Sequence, residues 1–374
     1  MKRRVIIVGG GFAGIFAMRR LRLLRRRLEV IVIDQRPSAH FLPLLPDMIS
    51  RPIAPASVMH DLRAECRRWD AMFLHDEVAA VDVPGVAVIT RGLGRLSADA
   101  IVLSCGTSTA FHGRDDLRPA VMKLDDVGDA VEIAARARSA HWKTALVVGG
   151  GYTGVEVATH LRRLENLRRS RRRIIILELA PVLLPGMPRP LSEYAAANLM
   201  RMRIEVMNNR TLRDVIDQDA ILSDESVFKN VLIVWSAGVK TPAFLSRLNL
   251  GHDRQGRLDV DKHLQAAPGV FVAGDAAGRI GGGAALRMGV QFSISGGRRA
   301  AANILRSLDG RALKPFEPMD PGYVIPMANM RSCGEILGVS AYGLAPSMMH
   351  YLMSVYRTFG AKRLKLLGDI LRRR

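Results

Sequence analysis

Four runs of consecutive apolar, mostly β-branched residues stand out along the chain. They are Val5–Val8, Val30–Ile33, Ala145–Val148 and Ile174–Leu177. Being apolar at every position rather than at alternate ones, they read as strands buried on both faces of a parallel sheet. The first and third open onto GGGFAG and GGGYTG; the second and fourth end in Asp34 and Glu178. Further buried strands are expected at Ala100–Ser104, within NVLIVWSAG (Asn230–Gly238), and within GVFVAGDAA (Gly269–Ala277). Residues 73–90 read as two short strands of a β-meander turning at Pro84 and Gly85. The proline-punctuated segment HFLPLLPDMI (His40–Ile49) reads as a loop entering a short helix. Its Phe41, Leu42, Leu44 and Leu45 suit the cover of a flat bound ring, and His40 suits a structural hydrogen bond. After Pro346 the period changes to that of a helix. Met348, Tyr351, Leu352, Val355 and Phe359 form one apolar stripe, Gly360 interrupts, and Leu364, Leu367 and Leu371 form a second among Arg363, Lys365, Arg372, Arg373 and Arg374.

The glycines turn this pattern into chemistry. Gly9, Gly11 and Gly14 take the GxGxxG spacing between a strand and a helix: one glycine for the tight turn, one for close approach to a pyrophosphate, one for packing the helix on the strand. Asp34 follows about 20 residues later, where an acid holds a ribose hydroxyl. Gly149, Gly151, Gly154 and Glu178 repeat the arrangement. Two such units imply two dinucleotides, FAD on the first and NAD on the second. An acid at 178 repels a 2′-phosphate and so favours NADH over NADPH, although Arg172 and Arg173 lie just upstream. Gly106, in the small turn after the Ala100–Ser104 strand, suits a close ligand. Asp275 suits the ribityl hydroxyls of a flavin; a helix N-cap would explain that residue alone, but not its place after two nucleotide folds. The expected fold is α/β, with two Rossmann-like domains, the second inserted in the first, plus a C-terminal amphipathic helical region. The expected bounds are 1–110 and 240–315 for the FAD domain, 111–239 for the NAD domain and 316–374 for the tail.

Composition narrows the class. The 374 residues, 48% hydrophobic and 24% charged, suit two to three globular domains. No run approaches the ~18 apolar residues of a membrane span, and no signal peptide is expected before the first strand. Three widely separated cysteines, Cys66, Cys105 and Cys333, argue against a disulfide framework and for a reducing compartment. The nine histidines show no metal-ligand spacing, so no metal is expected. A net charge of +20 favours anionic partners such as phospholipid head groups or nucleotides. Nucleic acid is a further anionic candidate, but without clustered aromatics or a recognised motif it ranks low.

In order, VIIVGGGFAG, GGGYTGVE, WSAGV and GVFVAGDAA resemble the two-dinucleotide flavoprotein reductases over residues 1 to about 310. Within them the chain is most similar to the type II NADH:quinone oxidoreductases, through HFLPLLP, TGVE and VQFSISGG. The resemblance implies that Gln291 lines a quinone site, with Ser295 where the family has a second glutamine. It also implies that Glu156 sits beside the stacked nicotinamide and flavin rings. Cys105 stands in place of a common threonine and reads as a small buried residue. Residues 35–60 lack the redox cysteines of disulfide and peroxide reductases, and only Cys105 and Cys333 are candidates for sulfide chemistry. The expected activity is transfer of a hydride from NADH to FAD and then of electrons to a membrane quinone, without proton pumping. The expected setting is peripheral, on the cytoplasmic face of an anionic membrane through the C-terminal helices, with a homodimer as a candidate assembly. The alternatives are a reductase of a redox protein such as a ferredoxin, a sulfide:quinone oxidoreductase-like enzyme, or a non-catalytic nucleotide-sensing or nucleic-acid-binding flavoprotein.

Overall fold

A computed structural model describes residues 2–25, 27–139, 141–358 and 362–371. Phe359, Gly360 and Arg372, Arg373 and Arg374 of the expected tail stripes lie outside the described residues. The chain divides into two compact units, each assembled from separate stretches.

The first unit takes the chain up to Ala39, His60–Ser108 and Val239–Asp320. Its six-stranded sheet runs Gln265–Ala267, Val270–Val272, Ala100–Leu103, Arg3–Val8, Leu28–Asp34, Met72–His75, parallel except for the Gln265–Ala267 edge. Val5, Ile6, Ile7, Ile101, Val102 and Phe271 are wholly buried, as unbroken apolar runs require. One expectation is corrected here. Phe73 belongs to this sheet, not to the meander, because Met72–His75 pairs with Ile31–Asp34 and buries Phe73. The meander is instead Val78–Asp82, Ala87–Thr90 and Gly94–Ser97. Two helices, Phe12–Leu24 and Val290–Leu308, lie side by side on the unit. A Cβ on Gly297 would stand 2.1 Å from the Ala13 carbonyl oxygen. At the far end Arg25 lies 2.7 Å from Asp309. The sequence offset is the same at both contacts, so the helices run parallel, residue against residue.

The second unit takes His40–Met59, Thr109–Gly238 and the chain from Pro321 onward. Its parallel sheet runs Glu205–Asn208, Arg173–Glu178, Thr144–Val148, Val231–Trp235. Successive side chains go to opposite faces: Val147, Ile176 and Val234 to one core, Leu146, Ile175 and Ile233 to another. Ile49, Ile325, Met327 and Cys333 complete the first of these cores, so the short Pro-rich segment and the chain after 321 are structural parts of the unit. Phe41, Leu44 and Leu45 are buried, which leaves only Leu42 with surface to offer a ligand.

The tail begins with an antiparallel sheet, Gly322–Ile325, Ser332–Ile336 and Val339–Gly343, followed by helices Leu344–Arg357 and Lys362–Leu371. The first stripe is rotated from its expected position. Tyr351 points inward, where its hydroxyl finds a carboxylate, and the exposed row is Leu344, Met348, Leu352 and Tyr356 at intervals of one turn. In the second helix Leu364, Leu367 and Leu371 are exposed as expected, while Leu366 and Asp369 face inward. Asp369 accepts hydrogen bonds from Ser57 Oγ at 2.7 Å and the Ala54 amide at 3.3 Å, which fixes the helix. No helix among the described residues is long and apolar enough to cross a membrane.

Candidate functional site

The two glycine turns are built alike. Gly9 has φ +97° and Gly149 has φ +106°, values that an L side chain rarely adopts. A Cβ on either would also lie about 2.5 Å from a backbone oxygen, that of Ser104 or of Ser236. On Gly14 and Gly154 it would lie within 2 Å of the Gly9 and Gly149 oxygens, so each helix rests against its own turn. Gly11 and Gly151 differ: a Cβ there would meet nothing within 4 Å. Protein packing therefore does not demand glycine at these helix N-caps, and the open space fits a pyrophosphate on the helix amides.

The acids are oriented identically. Asp34 Oδ2 accepts from the Gly10 amide at 2.7 Å and Oδ1 from the Arg36 amide at 2.8 Å. Glu178 Oε2 accepts from the Gly150 amide at 2.7 Å and Oε1 from the Ala180 amide at 2.7 Å. Each oxygen keeps a lone pair for a ribose hydroxyl. A third element, missed in the sequence, is also duplicated. Ser104 Oγ donates to the carbonyls of Val8 and Gly9, and Ser236 Oγ to those of Val148 and Gly149. The signal was there: LSCG and WSAG both place serine two residues before glycine at the end of a third strand.

Elsewhere in the first unit, Gly106 has φ +63° with open space at its Cβ position. Asp275 sits in a short turn after Val270–Val272. Burial pushes its carboxyl up despite Arg257, and its Ser293 hydroxyl contact is long at 3.5 Å. The Gly289 amide also donates to this carboxylate, and the lone pairs that remain, beside a small space of about 20 Å3, fit a hydroxyl donor of a flavin side chain. Gln291 lies in the first turn of Val290–Leu308, and Ser295, one turn on, donates its hydroxyl to the Gln291 carbonyl.

In the second unit Glu156 lies on the helix Tyr152–Leu167 that follows the glycine turn. It keeps some surface, but its carboxyl is enclosed; burial, and then the charge of Asp47, push it well above the usual carboxylate range. Asp47 itself was not singled out in the sequence. Burial would raise it too, yet His160, His350 and Arg51 hold it well below the usual range. Arg51 Nε is 2.9 Å away, and the Tyr351 hydroxyl donates at 2.8 Å. His160 Nε2 lies 3.5 Å from Asp47, and its Nδ1 shares a 2.8 Å hydrogen bond with Ser50. Burial lowers this imidazole to about 4, so at neutral pH it is uncharged and Arg51 carries the pairing. A polar residue inside FLPLLPDMIS was the only hint.

Residues 3–292 match the model of the pyridine nucleotide-disulphide oxidoreductases. The chain belongs to that family. It is 26% identical to a type II NADH:quinone oxidoreductase of Mycobacterium tuberculosis, over 96% of this chain and 85% of that one. It is 27% identical to a demethylphylloquinone reductase of Synechocystis, over 95% and 92%. Its fold matches that of NDH2 from Plasmodium falciparum in complex with NADH, with a TM-score of 0.85 over 99% of this chain and 98% of that one at 15% identity.

For an oxidoreductase of this family the cysteines are telling. Cys66, Cys105 and Cys333 are all free, and burial pushes each thiol up to about 12. None is a thiolate at neutral pH.

Proposed function

We propose that the protein oxidises NADH through an FAD and delivers the electrons to a quinone, as a type II NADH:quinone oxidoreductase. The reading is carried by the duplicated cradle, in which Asp34 with Gly10 and Glu178 with Gly150 repeat one geometry. The names of the M. tuberculosis and Synechocystis relatives support it. A bound flavin supplies the chemistry that side chains lack, accepting a hydride and releasing electrons.

The chain supplies position and charge. In the first unit Gly9, Gly11 and Gly14 admit the FAD pyrophosphate to the helix amides, and Asp34 takes its ribose. Gly106 gives backbone clearance, and Asp275 takes the ribityl hydroxyls. In the second, Gly149, Gly151, Gly154 and Glu178 do the same for NADH, with Glu178 disfavouring NADPH. Glu156, whose carboxyl burial and the charge of Asp47 push well above the usual carboxylate range, lies beside the nicotinamide, and Gln291 offers a neutral amide to a quinone carbonyl. The exposed rows Leu344, Met348, Leu352, Tyr356 and Leu364, Leu367, Leu371, with Lys365 nearby, suit a helix pair lying in the head-group plane of an anionic membrane. The protein would thus work peripherally, on the cytoplasmic face.

Anaerobic mixing of the FAD-loaded protein with NADH, then with menaquinone or ubiquinone analogues, tests the reading. Bleaching of the flavin by NADH and its recovery on quinone addition are expected. Recovery with a ferredoxin-type acceptor but with no quinone would overturn it.

A further inference from the structure

A second concave surface, lined by basic residues, lies in the first unit away from the glycine turn. Beside the helices Phe12–Leu24 and Val290–Leu308 is a cleft of about 370 Å3, within the usual range for small-molecule sites. Arg20, Arg25, Arg299, Arg306, Arg311 and Lys314 line it, over an apolar floor that includes Leu24 and Leu305. Arg20 is more than two helical turns from Gly11, so the cleft is separate from the dinucleotide cradle.

Arginines near helix C-termini commonly do no more than offset the helix dipole. Here the magnitudes exceed that need. Each of the two parallel helices contributes about half a negative charge at its end. Asp309 is the one carboxylate among the described residues that line the cleft, and it is already held by Arg25 at 2.7 Å and Arg311 at 2.9 Å. Six cations against one carboxylate and about one charge of dipole leave a surplus of about four positive charges. Arg306 spends its Nε on the Ala312 carbonyl. Arg20, Arg299 and Lys314 have no side-chain partner among the described residues. On an ordinary solvated surface such charges spread apart; here they converge from three stretches of chain on one concavity. Guanidinium forks fit phosphate oxygens in pairs, and a lysine adds a point charge.

We propose that this cleft binds a multiply charged phosphate group, carried by a soluble phosphate ester or by an anionic lipid head group, with Arg20, Arg299 and Lys314 as its principal contacts. The probes are inorganic tripolyphosphate, followed by calorimetry, and phosphatidylcholine vesicles with and without cardiolipin, followed by sedimentation. The full FAD-loaded chain is used with excess NAD+, so that the nucleotide cradle is occupied. The variant Arg20→Ala/Arg299→Ala/Lys314→Ala is compared with Arg67→Ala/Arg68→Ala/Arg201→Ala, which removes the same charge from exposed sites elsewhere. Saturable one-site binding of tripolyphosphate is expected, weakened roughly tenfold for each cleft cation removed and unchanged in the control variant. If only cardiolipin-dependent sedimentation falls in the cleft variant, the phosphate is that of a lipid; if tripolyphosphate binding falls, it is soluble. The cleft variant should melt no lower than wild type without ligand, since it loses mutual repulsion. Should it misfold, Arg299→Gln alone is expected to weaken binding about tenfold. The proposal is overturned if wild type binds neither probe, if the cleft variant binds both as wild type does, or if the control variant loses as much as the cleft variant.

Discussion

The Tyr351 hydroxyl donates a 2.8 Å hydrogen bond to Asp47, tying the first tail helix to a wholly buried carboxylate in the Pro-rich segment. Tyr351→Phe removes that donor and leaves Asp47 to Arg51. A loss of about 1.5–3 kcal/mol in unfolding free energy is expected at pH 7, the worth of a hydrogen bond to a charged group. Chemical denaturation checks it, and an unchanged midpoint would show that the bond contributes nothing.

The same cluster sets the acid limit of the fold. His160 is lowered to about 4 in the folded chain but takes a proton near 6.5 when unfolded. At this group the unfolded state thus binds more protons between these values, and its own contribution lowers stability as pH drops from about 6.5 toward 4, by about 3 kcal/mol. Glu156 works in the other direction. Its folded pKa is raised, so its contribution is present below about 4.5 and is lost as pH rises through the folded value. The two contributions oppose each other above about pH 4.5, so melting curves across pH 4–9 are compared as differences from wild type: His160→Gln should gain on wild type as pH falls from about 6.5 toward 4, and Glu156→Gln as pH rises above about 4.5. A wild-type slope in either variant would remove that residue from the account.

Cofactor choice is expected to rest on Glu178. Glu178→Ala removes both a ribose acceptor and a charge that repels a 2′-phosphate, so NADH binding should weaken roughly tenfold and the gap to NADPH should narrow. Stopped-flow flavin reduction with each nucleotide reads both effects. Better use of NADPH by the wild-type protein would reverse the assignment.

Gln291→Ala should separate the two half-reactions. Re-oxidation by quinone is expected to slow by about an order of magnitude, the loss of one good hydrogen bond, while reduction by NADH stays near normal. Equal slowing of both would assign the residue to the fold or to the flavin site instead.

Membrane attachment is best tested without truncation, because Tyr351, Leu366 and Asp369 are part of the folded core. Met348→Ser, Leu352→Ser, Leu364→Ser and Leu371→Ser change only exposed positions. Sedimentation with anionic vesicles should fall by roughly tenfold for each side chain replaced, with the melting temperature nearly unchanged. Undiminished sedimentation at low and high salt would place the anchor elsewhere.

What the sequence revealed depended on how local the cause was. The strands Val5–Val8 and Ala145–Val148 and their glycines were legible because a few adjacent residues dictate strand, turn and helix start. Asp34 and Glu178 were legible through a fixed spacing. Asp47, His160 and Tyr351 were not, since they come from three distant stretches and each alone looks like an ordinary residue on a helix. Met72–His75 was misread because its short pattern suits a meander as well as a sheet edge, and only pairing with Ile31–Asp34 decides. The tail showed its period but not its phase: a hydroxyl at Tyr351 and a carboxylate at Asp369, both matched inside, fix which face turns outward.

The residue-for-residue match of Phe12–Leu24 with Val290–Leu308 also bears on how the chain is made. The opening helix leaves the ribosome early, yet the helix it packs against, and the Val270–Val272 strand of the same sheet, come only after the whole of Thr109–Gly238. The four strands of the second parallel sheet, by contrast, lie within one continuous stretch and need nothing from the chain's end to pair. During synthesis the later-encoded sheet can therefore close while the earlier one waits, and contacts of such long sequence separation make that wait the slow part of folding.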